Sequence, residues 1–115
     1  MIHSIDLEQH LLGALIKYPD QYAEIQSFID ENDFYADNNQ TNRTIFCAIK
    51  QCLDQGDNID HVVLAQRIQS FNISFPQDIN IGDYIFSLSI RAISPSQVIT
   101  VAKELKKYSV RRSIY

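Results

Sequence analysis

The sequence of 115 residues predicts an all-α fold, with a compact head of about four helices followed by a C-terminal helical hairpin. Apolar side chains recur at intervals of three and four residues in most segments, which is typical of amphipathic helices. Capping residues, prolines and glycines separate these segments. Apolar residues make up 45% of the chain, enough for one buried core at this length.

Pro19 separates the first two predicted helices. The first, LEQHLLGALIKY (7–18), ends at the residue before that proline, which cannot continue a helix easily. Asp20 is placed to open the second, QYAEIQSFI (21–29). The inward stripes consist of Leu7, Leu11, Ala14, Leu15 and Tyr18 in the first helix and of Tyr22, Ile25, Phe28 and Ile29 in the second.

A polar stretch, ENDFYADNNQTNR (31–43), precedes the third helix. Its two aromatic residues, Phe34 and Tyr35, are predicted to anchor it to the core. Thr41 or Asn42 is expected to cap the helix RTIFCAIKQCLDQ (43–55), and Gly56 is placed as its left-handed stop. The predicted inward residues are Ile45, Phe46, Ile49 and Leu53.

The Asp60–His61 step at the start of the next segment could serve acid–base chemistry, but it also fits the first turn of a helix. Asp60 is a preferred N-cap residue, and Ile59 and Leu64 have the spacing of a hydrophobic staple around it. The pair is therefore interpreted as architectural, opening a fourth helix that runs to about Ser70. Residues 71–81 alternate as in a strand, so they form either a short two-stranded ribbon or, as we favour, an irregular loop.

Two final helices, 83–93 and 95–115, are predicted to form a hairpin (83–115) on the head (1–82). Ser94, Pro95 and Gln97 combine a capping box with a proline at the first helical position. A hairpin with two apolar faces cannot bury both against a small head, which favours isologous pairing with a second copy, although intrachain packing would explain the same stripe. The predicted self-association residues are Tyr84, Leu88, Val98, Val101, Leu105 and Tyr108.

The net charge of −4 is unevenly distributed. Residues 1–100 contain five Lys/Arg and thirteen Asp/Glu, giving −8, whereas residues 101–115 contain five cations and one Glu, giving +4. The acidic body argues against a general nucleic-acid surface, so contact with DNA is expected to be weak if it occurs. The candidate phosphate contacts are Lys106, Lys107, Arg111 and Arg112; alternatively, these cations simply occupy a solvated helix end that the helix dipole favours.

No catalytic or cofactor motif can be written from this sequence. Its three glycines are far apart, so neither GxxxxGK[ST] nor GxGxxG occurs. The histidines and the two cysteines, Cys47 and Cys52, lack metal-ligand or redox spacing, and we expect reduced thiols in a cytoplasmic protein. No apolar run approaches the ~20 residues needed to span a bilayer, so no membrane association is expected. The expected classes are therefore binding and assembly, without catalysis, metal or cofactor.

Several segments resemble, in order and spacing, the N-terminal domain of the DnaB-type replicative DNA helicases of bacteria and phages. They are EQHLLGALI (8–16), DFY (33–35), IFCAI (45–49), QGDNIDHVVLAQRI (55–68), GDYIFSL (82–88) and SPSQVITVAKELKKYSVRRSIY (94–115). The resemblance covers nearly the whole chain. It departs from the family pattern in a longer gap before IFCAI, in Asn42 where a histidine is common, and in the single Gly82 before Asp83.

The resemblance implies an all-helical collar domain on one face of a hexameric helicase ring, in which hairpins pair as a trimer of dimers. It implies primase and helicase-loader partners. It also implies that ATP and Mg serve a separate motor domain that drives 5′→3′ unwinding in a full-length parent.

Three hypotheses follow from the sequence. The first is a non-catalytic helicase collar that mediates ring assembly and primase or loader docking. The second is a stand-alone regulator that binds a helicase, primase or loader. The third is a small module that binds single-stranded nucleic acid through the basic C-terminal helix, with Tyr108 and Tyr115 as stacking groups.

Overall fold

The computed structural model of the chain describes residues 5–34, 41–57, 59–71, 80–91 and 93–114, with the backbone alone at 112–114. The described residues form helices and connecting turns, so the predicted all-α class is confirmed. In the described part of the chain, three 3₁₀ turns, Pro19–Gln21, Glu31–Asp33 and Pro95–Gln97, precede or link the α-helices. The α-helices are α1 (Ile5–Lys17), α2 (Tyr22–Ile25), α3 (Thr41–Asp54), α4 (His61–Gln69), α5 (Ile81–Ser89) and α6 (Val98–Ile114).

Helix α1 lies at the centre of the fold. Helices α3, α5 and α6 all pack against it. Every residue of the segment 11–16 is buried, because neighbours cover this helix on several sides rather than along one stripe. The predicted inward residues Leu11, Ala14 and Leu15 are fully buried. Helix α1 therefore contributes five described residues to the buried apolar core, as many as α3 does.

Both C-terminal helices pack on α1. Among the described residues, α5 and α6 contact α1 extensively and contact each other little. Their inward residues, including Ile85, Leu88, Val98, Ala102 and Leu105, belong to the same core as those of α1. The division into a head and a hairpin stays a prediction, and in this conformation the two segments share one core.

The aromatic packing around α3 fixes the segment that precedes it. The ring of Phe34 is fully buried, with its centroid 4.8 Å from that of Phe46. Tyr22 also packs near Phe46, with ring centroids 6.3 Å apart. Phe34 thus anchors the polar stretch as predicted, whereas Tyr35 falls outside the described residues.

Several predicted helix boundaries are confirmed. Gly56 follows α3 with a φ of +73°, the left-handed conformation expected of a C-terminal stop. Asp60 caps α4, because the backbone N–H of Val63 donates to Asp60 Oδ1 at 2.8 Å. The backbone N–H of Ser94 donates to Gln97 Oε1 at 2.9 Å, which forms the predicted capping box. These caps explain why α4 and the turn before α6 begin at these positions.

Other boundaries differ from the prediction. Asp20 lies inside a 3₁₀ turn started by Pro19 and does not cap a helix. The second helix begins at Tyr22, one residue after the predicted start, but ends at Ile25 rather than at Ile29. Thr41 and Asn42 are buried within the first turn of α3. Helix α5 begins at Ile81 because the Asn80 side chain caps it, accepting from the N–H of Asp83 at 3.1 Å. Most of the predicted loop 71–81 lies outside the described residues.

Candidate functional site

Helices α1 and α5 approach each other unusually closely. A Cβ atom added at Gly13 would lie 2.3 Å from the carbonyl oxygen of Leu88, a distance that real Cβ contacts do not reach. Only glycine at position 13 allows the two backbones to pack this tightly. Gly13 belongs to the EQHLLG opening of the sequence, so this motif residue has a structural role at the seam between α1 and α5.

A buried polar network crosses the same seam. Glu8 is fully buried, and its Oε1 accepts from Asn42 Nδ2 at 3.0 Å. Asn42 Oδ1 accepts from the Tyr84 hydroxyl at 2.6 Å, and that hydroxyl accepts from Gln9 Nε2 at 3.2 Å. Burial is the main cause that raises the pKa of Tyr84 above its ordinary value. The network links α1, α3 and α5 and satisfies polar groups that would be costly to bury alone.

Arg91 closes the seam at the C-terminal end of α5. Its guanidinium donates to Gln9 Oε1 at 2.9 Å and to His10 Nδ1 at 2.8 Å. It also lies 3.7 Å from the Asp6 carboxylate, and its carbonyl accepts from Lys17 Nζ. Helix α5 is therefore held on α1 at both ends, which fixes the direction of its outer face.

The outer face of α5 exposes large apolar side chains. Phe86 and Ile90 are 48% and 63% exposed and stand one helical turn apart on the same face. Val62 of α4 is 52% exposed, and it lines with Phe86 a groove of about 460 Å³ between the two helices. The His61 ring contacts Phe86 edge-on, with centroids 5.0 Å apart. We call Val62, Phe86 and Ile90 the α4–α5 patch.

The structure places three of the six predicted self-association residues on the inner side of the C-terminal helices. Leu88, Val98 and Leu105 have almost no exposed surface, so in this conformation they offer little to a second copy. Tyr84, Val101 and Tyr108 are partly buried. Sequence reasoning missed the exposed apolar residues of this region, Phe86 and Ile90. Their spacing of four residues was the available signal, because it forms a second stripe on α5 opposite Ile85 and Leu88.

Two of the candidate phosphate contacts already have acidic partners in the chain. Lys106 Nζ lies 3.1 Å from Asp33 Oδ1, and Lys107 Nζ lies 3.0 Å from Glu104 Oε1. The Arg111 guanidinium lies over the Tyr108 ring, 5.9 Å from its centroid. The Arg112 side chain falls outside the described residues. The structure therefore leaves the phosphate-contact prediction untested.

No constellation of metal ligands was found within the described part of the chain. Cys47 and Cys52 are free thiols, and burial is the main cause that raises the pKa of both. Among the described helices none is both long and apolar enough to cross a bilayer. What the geometry does present is an exposed apolar surface, the α4–α5 patch, carried largely by a helix that is tightly fixed to the core.

The family profile described as the DnaB-like helicase N-terminal domain matches residues 1–107. The chain belongs to this family. The replicative DNA helicase DnaB of Pasteurella multocida (strain Pm70) is 27% identical over 112 residues, a match that covers 97% of this chain. That match spans only 23% of the P. multocida protein, so the chain corresponds to less than a quarter of this relative.

A solved structure supports the same fold. The N-terminal domain of the DnaB helicase from Mycobacterium tuberculosis superposes with a TM-score of 0.82 at 18% identity, covering 96% of this chain and 75% of that chain. The resemblance to the DnaB N-terminal domain is thus confirmed. Glu8, Gln9, Gly13 and Tyr84, all within the segments that carried the resemblance, meet at the seam between α1 and α5.

Proposed function

We propose that this chain acts as the non-catalytic N-terminal collar domain of a replicative DNA helicase, mediating ring assembly and docking primase or the helicase loader. The observation that carries this proposal is the match of the DnaB-like helicase N-terminal domain over residues 1–107, nearly the whole chain. Unwinding, ATP and Mg would belong to a motor domain elsewhere in a longer parent. The site of action would be the cytoplasm.

The α4–α5 patch supports an assembly role. Isolated exposed apolar residues are common on protein surfaces, but adjacent large ones on a rigid helix mark candidate interfaces. Phe86 is held against His61 at 5.0 Å, so little side-chain freedom would be lost when a partner covers it. Self-association within residues 83–115 would then use the outer stripe of α5, in addition to any surface that Val101 and Tyr108 offer.

The test measures the oligomeric state of the chain and of its native gene product by sedimentation velocity. We expect concentration-dependent self-association that falls when Phe86 and Ile90 are both replaced by Ser. A matched control replaces the exposed Gln26 and Gln51, which do not line the α4–α5 groove, by Ser. A strict monomer at high micromolar concentration for both polypeptides would contradict the assembly role.

A stand-alone regulator is the second candidate function. Such a regulator would share the DnaB N-terminal fold but not the role of a helicase collar. The intact mass of the native gene product separates the two. A mass several times 13.3 kDa would support the collar of a helicase, and a mass near 13.3 kDa would support a regulator of a helicase, primase or loader.

The single-strand-binding hypothesis has less support. Lys106 and Lys107, two of its four cations, form ion pairs with Asp33 and Glu104. The net charge of −8 on residues 1–100 would repel a phosphate backbone.

A further inference from the structure

A second surface lies along the C-terminal half of α6, where cations surround an apolar floor. Two apolar side chains form the floor, one from the turn after α2 and one from α6, and the exposed lining is almost wholly carbon. The groove has a volume of about 370 Å³. The residues that line it, which we call the basic groove, are Phe28, Lys103, Lys106, Lys107, Val110 and Arg111.

The cations follow the helical repeat of α6. Lys103, Lys107 and Arg111 succeed one another at four-residue intervals, so they form a row with steps of about 6 Å along the helix axis. The opposite face of α6 carries Ala102 and Leu105, which are fully buried in the core. The row therefore runs along the outer side of α6, beside the apolar floor.

The two ends of this row present charge to solvent. Lys103 and Arg111 are exposed, and within the described residues neither forms an ion pair. Lys106 and Lys107 pair with Asp33 and Glu104, so only part of the positive charge is neutralised inside the chain. Residues 1–100 have a net charge of −8, whereas the basic groove concentrates positive charge in one place on the surface.

We infer that the basic groove binds an acidic amphipathic helix of a partner protein. Apolar side chains of that helix pack on Phe28 and Val110, and its carboxylates lie beside Lys103 and Arg111. A helix presents side chains at the same four-residue spacing as the cations, so carboxylates at i, i+4 and i+8 match the row. This inference rests on the docking role proposed above and specifies the chemistry of the docked segment.

A single nucleic-acid strand fits the groove less well. Strand-binding surfaces combine cations with several aromatic platforms on which bases stack. Among the described residues that line the groove, Phe28 is the only aromatic one, and it is half-buried. A strand also carries one negative charge per nucleotide, so the acidic body opposes it more strongly than it opposes a helix of mixed composition.

The test uses fluorescence anisotropy with the 115-residue chain. The probe is a labelled helical peptide of about 16 residues with a leucine stripe flanked by glutamates at every fourth position. A second peptide has glutamine in place of each glutamate, and labelled oligo-dT tests the nucleic-acid alternative. The variant Lys103→Gln/Arg111→Gln removes two positive charges from the groove. Its control, Gln51→Glu/Gln66→Glu, changes the net charge equally but on α3 and α4.

We expect the glutamate peptide to bind with salt-sensitive affinity that falls about tenfold in the groove variant and changes little in the control. Replacing Val110 by Ser should weaken binding without altering its salt dependence. The inference is overturned if the glutamine peptide binds equally well, if both charge variants weaken binding alike, or if oligo-dT alone depends on Lys103 and Arg111. Failure here leaves the ring-assembly role standing, because that role depends on sedimentation and native mass.

Discussion

The hydroxyl of Tyr84 donates to Asn42 Oδ1 at 2.6 Å, and through this contact helix α5 is joined to α3 across the N-terminal part of α1. Asn42 in turn donates to the buried Glu8, so one tyrosine hydroxyl completes a chain of polar groups in the interior. Removal of one hydrogen-bonding atom from this network should therefore weaken the attachment of α5, which carries most of the α4–α5 patch, to α1 and α3.

Replacing Tyr84 by Phe should reduce the free energy of unfolding by about 1–2 kcal/mol, because Asn42 loses a buried donor. Urea unfolding followed by circular dichroism measures the change. Tyr108→Phe is the matched control, because it removes the same atom from a tyrosine on α6 that lies outside the Glu8–Asn42–Tyr84 network and keeps the ring that contacts Arg111. Equal effects of the two substitutions would show that the Tyr84 hydroxyl contributes no more to stability than the Tyr108 hydroxyl does.

The same residue should give the domain an alkaline stability limit. Burial raises the pKa of Tyr84, so the folded state keeps a proton that an unfolded tyrosine releases near pH 10. The contribution of Tyr84 to the free energy of unfolding is therefore complete below about pH 10, and it is lost as the pH rises toward the pKa of Tyr84 in the folded state. Unfolding free energies at pH 8 and pH 11 should differ more in the wild type than in Tyr84→Phe. A parallel pH dependence of the two proteins would contradict this assignment.

Replacing Gly13 by Ala should destabilise the domain by about 1–3 kcal/mol, since the new methyl group must push α5 away from α1. Thermal unfolding provides the measurement. Gly82→Ala is the control, because a Cβ there meets only Asn80 Oδ1 at 3.4 Å and gains helix propensity. A Gly13→Ala protein as stable as the wild type would mean that the close approach to Leu88 is easily relaxed.

Replacing Asp60 by Ala should cost about 1 kcal/mol, because α4 loses the side chain that accepts from Val63 N–H. Asp60→Asn keeps an acceptor at the cap and should restore most of the lost stability. Chemical denaturation of the three proteins tests this architectural reading. If Asn destabilises as much as Ala, the charge of Asp60 rather than its capping geometry is what matters.

Much of the fold could be predicted from local signals. Asp60, Gly56 and the Ser94–Gln97 pair act through neighbouring backbone groups, and their roles were readable from adjacent residues. The polar network could not be predicted from local signals. Glu8, Asn42 and Tyr84 are far apart in the sequence and meet only after α1, α3 and α5 pack together. No periodicity links such residues.

The candidate surfaces were less predictable for a related reason. Leu88 on α5 and Val98 and Leu105 on α6 belong to apolar faces that would suit a partner as well as an intrachain core. The packing of both helices on α1 places these residues in the core. Once that packing is known, the opposite stripe of α5 becomes the exposed one. A sequence specifies that a helix has an apolar face more readily than it specifies which neighbour will cover it.

The central position of α1 has a consequence for how the domain opens. Helices α3, α5 and α6 all pack on α1, so none of them can expose the amides of 11–16 by moving away alone. Those amides should exchange with solvent deuterium only when the whole chain unfolds, whereas α4, which is held by α3 and α5, can open separately. Amide exchange would then be slow in α1 and faster in α4. The α4–α5 patch would combine residues from the faster-exchanging α4 with residues from α5, which packs on α1.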